Sequence, residues 1–448
     1  MNNTRKNLTL FSLTWPIFIE IMLHMLMGNA DTLMLSQYSD QSVAAVGVAN
    51  QILSLIIVMF GFVATGAAIL IAQNIGADNW KTANEISLMS LAGNLAFGII
   101  LSGVLFIFNK DLLMLMDLPG ELMADGSSYL WIVGGFSFIQ ALIMTAGAIL
   151  RSYGYTKDAM YITIGMNILN IAGNYLFIFG GFGVPVLGVT GVAISTTVSR
   201  LIGFIVIMIV LMKRMPTPMP FRQILKLPSA HMKDLLTIGI PSAGEELSYN
   251  ASQMMITFFI TMIGTEALTT KVYAQNLMMF IFLFSVAISQ GTQILVGRHV
   301  GAKQFSEAYK RCLKSLKIAI FISLGMAIIL SIFSKPLLGI FTTNSAIIAE
   351  GSTLIYLTIL LEPGRSFNLV IINSLRAAGD VRFPVYMGIL SMWGVSVTIS
   401  YFLGILLHLG LLGIWISFIA DEWLRGLLML KRWKSKAWMN MSFMNKVS

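Results

Sequence analysis

Glu20, His24 and Asp31 follow one another at intervals of four and seven residues, inside a stretch that is otherwise apolar from residue 11 to residue 36. On a helix this spacing lays the three along one stripe. A stripe of titratable groups is what a proton or cation relay requires, because each member can take up and release a positive charge. Asp31, within Gly28-Asn-Ala-Asp-Thr-Leu33, has no basic neighbour in sequence and is the strongest member. Asn167, Asn170 and Asn174 recur at helical spacing further on, and Thr196 and Thr197 follow them. Amide, hydroxyl and carboxylate oxygens around one aspartate can make a small cation site with no His or Cys ligand.

The segments that must hold these groups are apolar. Of 448 residues 56% are hydrophobic and 11% charged, with a mean hydropathy of +0.81. An ordinary soluble domain is about one quarter charged, so lipid is the solvent for most of this chain. The same figures exclude disorder and coiled coils, and the lone Cys312 excludes an intrachain disulfide framework. A bilayer-spanning helix needs about 20 apolar residues, and twelve such runs are present. They are centred on 11–36, 45–73, 86–108, 122–150, 158–180 and 187–212, then on 234–262, 270–298, 310–333, 347–375, 383–405 and 410–430. The runs are continuous rather than alternating, which favours helices over a barrel. The expected organisation is an N-lobe at 1–212, a proline-rich basic cytoplasmic linker at 213–233, a C-lobe at 234–432 and a basic cytoplasmic tail at 433–448.

Of the 29 Lys and Arg residues, 24 fall in the compartments that hold both termini and 3 in the opposite ones. Basic residues concentrate on the cytoplasmic side, so both termini are expected there, in a bacterial inner membrane. The net charge of +9 is then a topology signal, with no role for nucleic acid.

The two halves repeat. An offset of 225 pairs Pro16 with Pro241, Glu20 with Glu245, Gly66 with Gly291, Leu150-Arg151 with Leu375-Arg376, and Gly154 with Gly379. Past a short deletion, Gly188 and Gly191 pair with Gly410 and Gly413 at 222. Six spans per half give a parallel repeat about an axis along the membrane normal, as in alternating-access transporters. The fold class expected is all-α integral membrane, twelve helices in two pseudo-symmetric bundles.

Charges at membrane depth are costly and mark function. Besides the opening three they are Arg200, Glu245, Glu246, Glu362, Arg365, Asp421, Glu422 and Arg425. Arg200 lies too deep to reach water and calls for a carboxylate partner, Glu20 or Asp31. Arg425, near the end of its span, is expected to snorkel to the interface. Asn50, Gln51, Gln275 and Asn276 occupy repeat-related second spans and are suited to lining a cleft. There is no phosphate-binding Gly-loop and no metal-spaced His or Cys cluster, so an enzyme is not expected.

The chain resembles the multidrug and toxic compound extrusion (MATE) transporters over nearly its whole length. The resemblance rests on Asp31-Thr-Leu-Met-Leu35 with Val43-Ala-Ala-Val-Gly-Val-Ala-Asn50, Gly66 to Ala77, and Asn170-Ile-Ala-Gly-Asn-Tyr-Leu-Phe-Ile-Phe-Gly180. It rests also on Leu150-Arg-Ser-Tyr-Gly-Tyr-Thr-Lys157 with its partner Leu375-Arg-Ala-Ala-Gly-Asp380. It implies export of amphipathic, often cationic compounds in exchange for Na⁺ or H⁺, by a monomer with no other cofactor. The family's coupling residues match Asp31, Asn170 and Thr196. Asn174 stands where several members have a second aspartate, and Arg365 stands where members with a C-lobe cation site have a tenth-span aspartate, so coupling in the C-lobe is not expected. The alternative function is a lipid-linked precursor flippase of the same superfamily. Its extended cationic cleft is not matched by Arg200 and Arg365, the basic residues read deep within the spans.

Overall fold

The computed structural model describes residues 8–180, 183–216 and 229–446; much of the expected linker lies outside them. The described residues are helical, with no strand among them. The helices long enough to cross a bilayer are α1 (Leu10–Ser36), α2 (Asp40–Gly76), α3 (Trp80–Ile107), α4 (Gly120–Gly134 and Ser137–Ser152, bent by 43°), α5 (Thr156–Phe179) and α6 (Gly188–Arg214). The second half contributes α7 (Ser229–Ile263), α8 (Thr265–Gly301), α9 (Phe305–Ile332), α10 (Ser345–Ala377), α11 (Arg382–Leu406) and α12 (Gly410–Lys434). A helix covers each of the twelve expected spans, several of them longer at each end than their apolar runs; among the described residues nine are long and apolar enough to cross a membrane, ten if the bent α4 is one span.

The repeat is visible in the helix ends. Both ends of α8 lie 225 residues after those of α2, and both ends of α9 lie 225 after those of α3. The turns repeat as well. Gly154 and Gly379 have φ of 89° and 99°, a conformation open to glycine because it has no Cβ. Asp78 and Lys303, again 225 apart, have φ of 56° and 59°.

The chain forms two compact units, one of residues 19–75 and 79–239, the other of residues 1–18, 76–78 and 240–448. The units are therefore not strictly sequential. Each of α1 and α7 changes unit within two residues of its internal proline, Pro16 or Pro241. A proline removes one helical hydrogen bond and gives such a helix a place to deviate. A small residue admits the crossing segment in each unit. Gly66 faces the backbone oxygen of Leu235, and Gly291 faces Thr14 Oγ1, each 3.1 Å from where a Cβ would stand. Within a bilayer, close packing of small residues replaces the hydrophobic effect as the force between helices.

The core of the first unit gathers Leu35, Val46, Leu105, Leu130, Ile178 and Val192. That of the second gathers Ile256, Met278, Leu354, Leu411, Trp415 and Phe418. The expected basic tail folds back instead of trailing free. Trp433 and Trp438 are fully buried and stack with centroids 4.2 Å apart.

Candidate functional site

In the first unit, α5 and α6 approach closely because Gly173 presents no side chain to Ser195. The Ser195 hydroxyl donates to the backbone carbonyl of Asn170 at 2.9 Å and fixes the register of the two helices. Asn170 then donates to Thr196 Oγ1 at 3.1 Å. Asp31 of α1 closes the group. It accepts from Asn174 Nδ2 at 2.5 Å and from Thr196 Oγ1 at 3.4 Å. Asp31 is 3% exposed and Asn170 and Asn174 are fully buried. The four residues expected from the sequence as a coupling set therefore meet at one point.

No guanidinium or ammonium lies within ion-pair distance of Asp31 among the described residues. Neutral donors alone hold its carboxylate, and a buried charge so placed is costly. Beside it, Asn170 Oδ1 and Asn174 Oδ1 are buried without a hydrogen-bond partner. A buried carbonyl oxygen without a donor is itself unfavourable by about 1–3 kcal/mol. One carboxylate and two unpartnered carbonyl oxygens form an oxygen-only donor set that fits a hard cation or, at Asp31, a proton. Among the described residues no three His, Cys, Asp or Glu side chains cluster as metal ligands.

Sequence reasoning missed Tyr129. It is 2% exposed, within electrostatic reach of Asp31 and Arg200, and in hydrogen-bond reach of Asn50. It arrives from α4, a helix whose polar residues gave no spacing signal. One expectation is overturned here. Arg200 has no carboxylate within 4 Å among the described residues, and its Nε is buried without a partner. Asp31, Tyr129 and His24 lie within its electrostatic reach without an ion pair. Depth alone implied a direct partner, but the fold gives Glu20 to another arginine.

Glu20 accepts from Arg151 Nη1 at 2.5 Å, in the space Gly147 leaves open. His24 lies on the same face, within electrostatic reach of Glu20, Arg151 and Arg200. The opening stripe thus divides: Glu20 anchors α1 to the end of α4, while Asp31 faces the amide group.

In the second unit Glu245 pairs with Arg376, the repeat of Glu20 with Arg151, and Glu246 is exposed. Arg365 pairs with Glu362 at 2.8 Å and lies 3.6 Å from Glu422. Glu422 also accepts from Asn368 Nδ2 at 2.9 Å. Arg425 is 5% exposed and pairs with Asp421 at 2.6 Å and Glu422 at 3.3 Å, so the expected snorkelling is incorrect. Helix α12 runs on to Lys434, which leaves Arg425 about two and a half turns from its end. Trp423 packed on Gly364 and Phe367 packed on Gly426 bring α10 and α12 close enough for this network. Of the residues expected to line a cleft, Gln51, Gln275 and Asn276 are exposed and Asn50 is half-buried.

A helical chain whose second half repeats the helix ends of the first at an offset of 225 has the internal repeat common among secondary transporters. The family model MatE matches residues 16–176 and 241–402, two segments that begin 225 residues apart. The chain belongs to the MATE family of multidrug efflux transporters. It is 58% identical over 97% of its length to "Uncharacterized transporter YisQ" of Bacillus subtilis (strain 168), covering 95% of that protein. It is 28% identical over 96% of its length to "Probable multidrug resistance protein NorM" of Thermotoga maritima, covering 92% of it. Its fold matches a solved MATE structure in the bent conformation with a TM-score of 0.88, at 21% identity over 95% of this chain and 94% of that one. A MOP superfamily transporter from Pyrococcus furiosus matches with a TM-score of 0.86, at 21% identity over 95% of each chain. At such identities the likeness is one of fold.

Proposed function

We propose that the protein is a cation-coupled antiporter of a bacterial inner membrane, with both termini cytoplasmic. It exports amphipathic, often cationic compounds by alternating access, and H⁺ or Na⁺ bound at Asp31 drives the exchange. The observation that carries this reading is a buried carboxylate held by neutral donors alone, beside two unpartnered amide oxygens.

The chemistry is direct. Without an ion-pair partner among the described residues, Asp31 favours a cation in its surroundings, whether substrate or coupling ion. A proton on Asp31 turns one carboxylate oxygen from acceptor to donor, and rotation of the Asn174 amide would supply Oδ1 to receive it. Na⁺ would instead draw on Asp31 and the Asn170 and Asn174 carbonyl oxygens. Either event changes the hydrogen bonds between α1 and the α5–α6 pair. Exchange follows if ion and substrate favour opposite states of that contact. The basic-residue distribution supports the orientation, and the relative named as a multidrug resistance protein supports the substrate class.

Efflux of a cationic dye from vesicles, under a pH gradient and a Na⁺ gradient applied separately, tests the proposal. Acceleration by one gradient is expected; efflux indifferent to both contradicts it.

A further inference from the structure

The second unit contains a cavity of about 210 Å³. Its apolar part is made by Met278, Met279, Phe282 and Leu361, and its polar part by Gln275, Tyr249, Arg365 and Trp415. Arg365 is the one formally charged side chain lining it among the described residues. Trp415 is 1% exposed, and its indole N–H is buried without an acceptor. That nitrogen is shielded from the cavity surface. The Arg365 guanidinium stands over the Phe282 ring at 5.4 Å. Its carboxylate partners lie outside the cavity: Glu362 lines neither recess, and Glu422 belongs to a smaller adjoining one with Asp421 and Arg425.

From this geometry we infer that the second unit carries its own ligand site, which takes a small aromatic or aliphatic molecule with an anionic head, a carboxylate or sulfonate. The head accepts from Arg365 and the Gln275 amide, and the body lies against the methionines and Phe282. Planar guanidinium donors suit such oxyanions, and flexible thioethers accommodate varied apolar bodies. A cationic head would meet the Arg365 guanidinium, the one formally charged side chain of the lining among the described residues.

The charge balance sets a condition. The Glu362, Arg365, Asp421, Glu422 and Arg425 network holds three carboxylates against two guanidiniums. An added anion deep in the membrane is costly unless a positive charge accompanies it. Glu362 is fully buried and its Oε2 has no partner, so it is the group that takes a proton on anion binding. The charges facing it are Arg365 on its own helix and Glu422 on α12. Neutral Glu362 then competes less for the guanidinium. The site uses none of the residues around Asp31, so its failure and that of the antiporter proposal are distinguishable.

Titration calorimetry on the purified full-length protein, with naphthalene-2-sulfonate and the isosteric naphthylmethylammonium as probes, tests this. The sulfonate is expected to bind at least about tenfold more tightly. Arg365→Gln should lose that preference, and Glu362→Gln should strengthen sulfonate binding several-fold. Glu362→Gln gives a gain that misfolding cannot mimic. Tighter binding of the ammonium, or sulfonate binding indifferent to Arg365→Gln and Glu362→Gln, overturns the assignment. In nanodiscs, weakening by phosphatidylglycerol identifies a lipid headgroup as the anionic occupant, and no weakening identifies a soluble molecule; both accord with an anionic head.

Discussion

Arg151 holds Glu20 in the same way that Arg376, 225 residues later, holds Glu245. In each half the glutamate lies four residues past the proline of a helix that changes unit, and the arginine sits in the last turn of the fourth helix of its repeat. The repeated Leu-Arg motif therefore exists to clamp that helix just beyond its weak point.

Removing one partner of such a pair leaves the other charge partly buried. Glu20→Gln and Glu245→Gln should each cost about 3 kcal/mol of stability, a little less than a fully buried pair because the Arg151 and Arg376 side chains retain 19% and 16% exposure. Thermal unfolding in detergent should show similar losses for the two. Recovery of part of the loss in Glu20→Gln/Arg151→Gln would confirm that the stranded arginine is the cause.

Gly173 sets the distance between α5 and α6. Alanine there would place a methyl against Ser195, costing about 1–3 kcal/mol through overpacking. Because the same contact sets Asn170 against Thr196, Gly173→Ala should reduce efflux per folded molecule, whereas Gly165→Ala, in open space on the same helix, should not. Equal activity of the two variants would separate helix spacing from function.

Asn174 supplies the shortest hydrogen bond to Asp31. Asn174→Leu should lose about 1.5–3 kcal/mol of interaction with the charged carboxylate and shift the pH or Na⁺ dependence of efflux. Asn174→Asp places a second carboxylate beside the first and should make transport more dependent on the bound cation. Efflux profiles unchanged in both variants would remove Asn174 from the coupling site.

The buried tail is a separate matter of stability. Trp438 stacks on Trp433 and donates to its backbone carbonyl at 2.9 Å. Trp438→Ala should destabilise by about 3–5 kcal/mol, readable as a lowered unfolding temperature. A tail that was only a solvated charge run would show no change.

Twelve spans and the repeat were legible because lipid demands long apolar runs and the two copies kept one register. Asp31, Asn170, Asn174 and Thr196 were legible because each stands out as polar in such a run. What escaped depends on how helices pack. Tyr129 is ordinary in sequence and reaches the site only through how its helix packs. Arg200 seemed to need a direct partner because sequence gives depth but not distance. Arg425 seemed near an interface because the apolar run ends before the helix does.

The central claim is that a cation at Asp31 drives export. Dye efflux from vesicles holding equal amounts of wild type and Asp31→Asn, under an imposed pH or Na⁺ gradient, tests it most directly. Gradient-driven efflux in the wild type and none in Asp31→Asn is predicted; undiminished gradient-driven efflux by Asp31→Asn would contradict it.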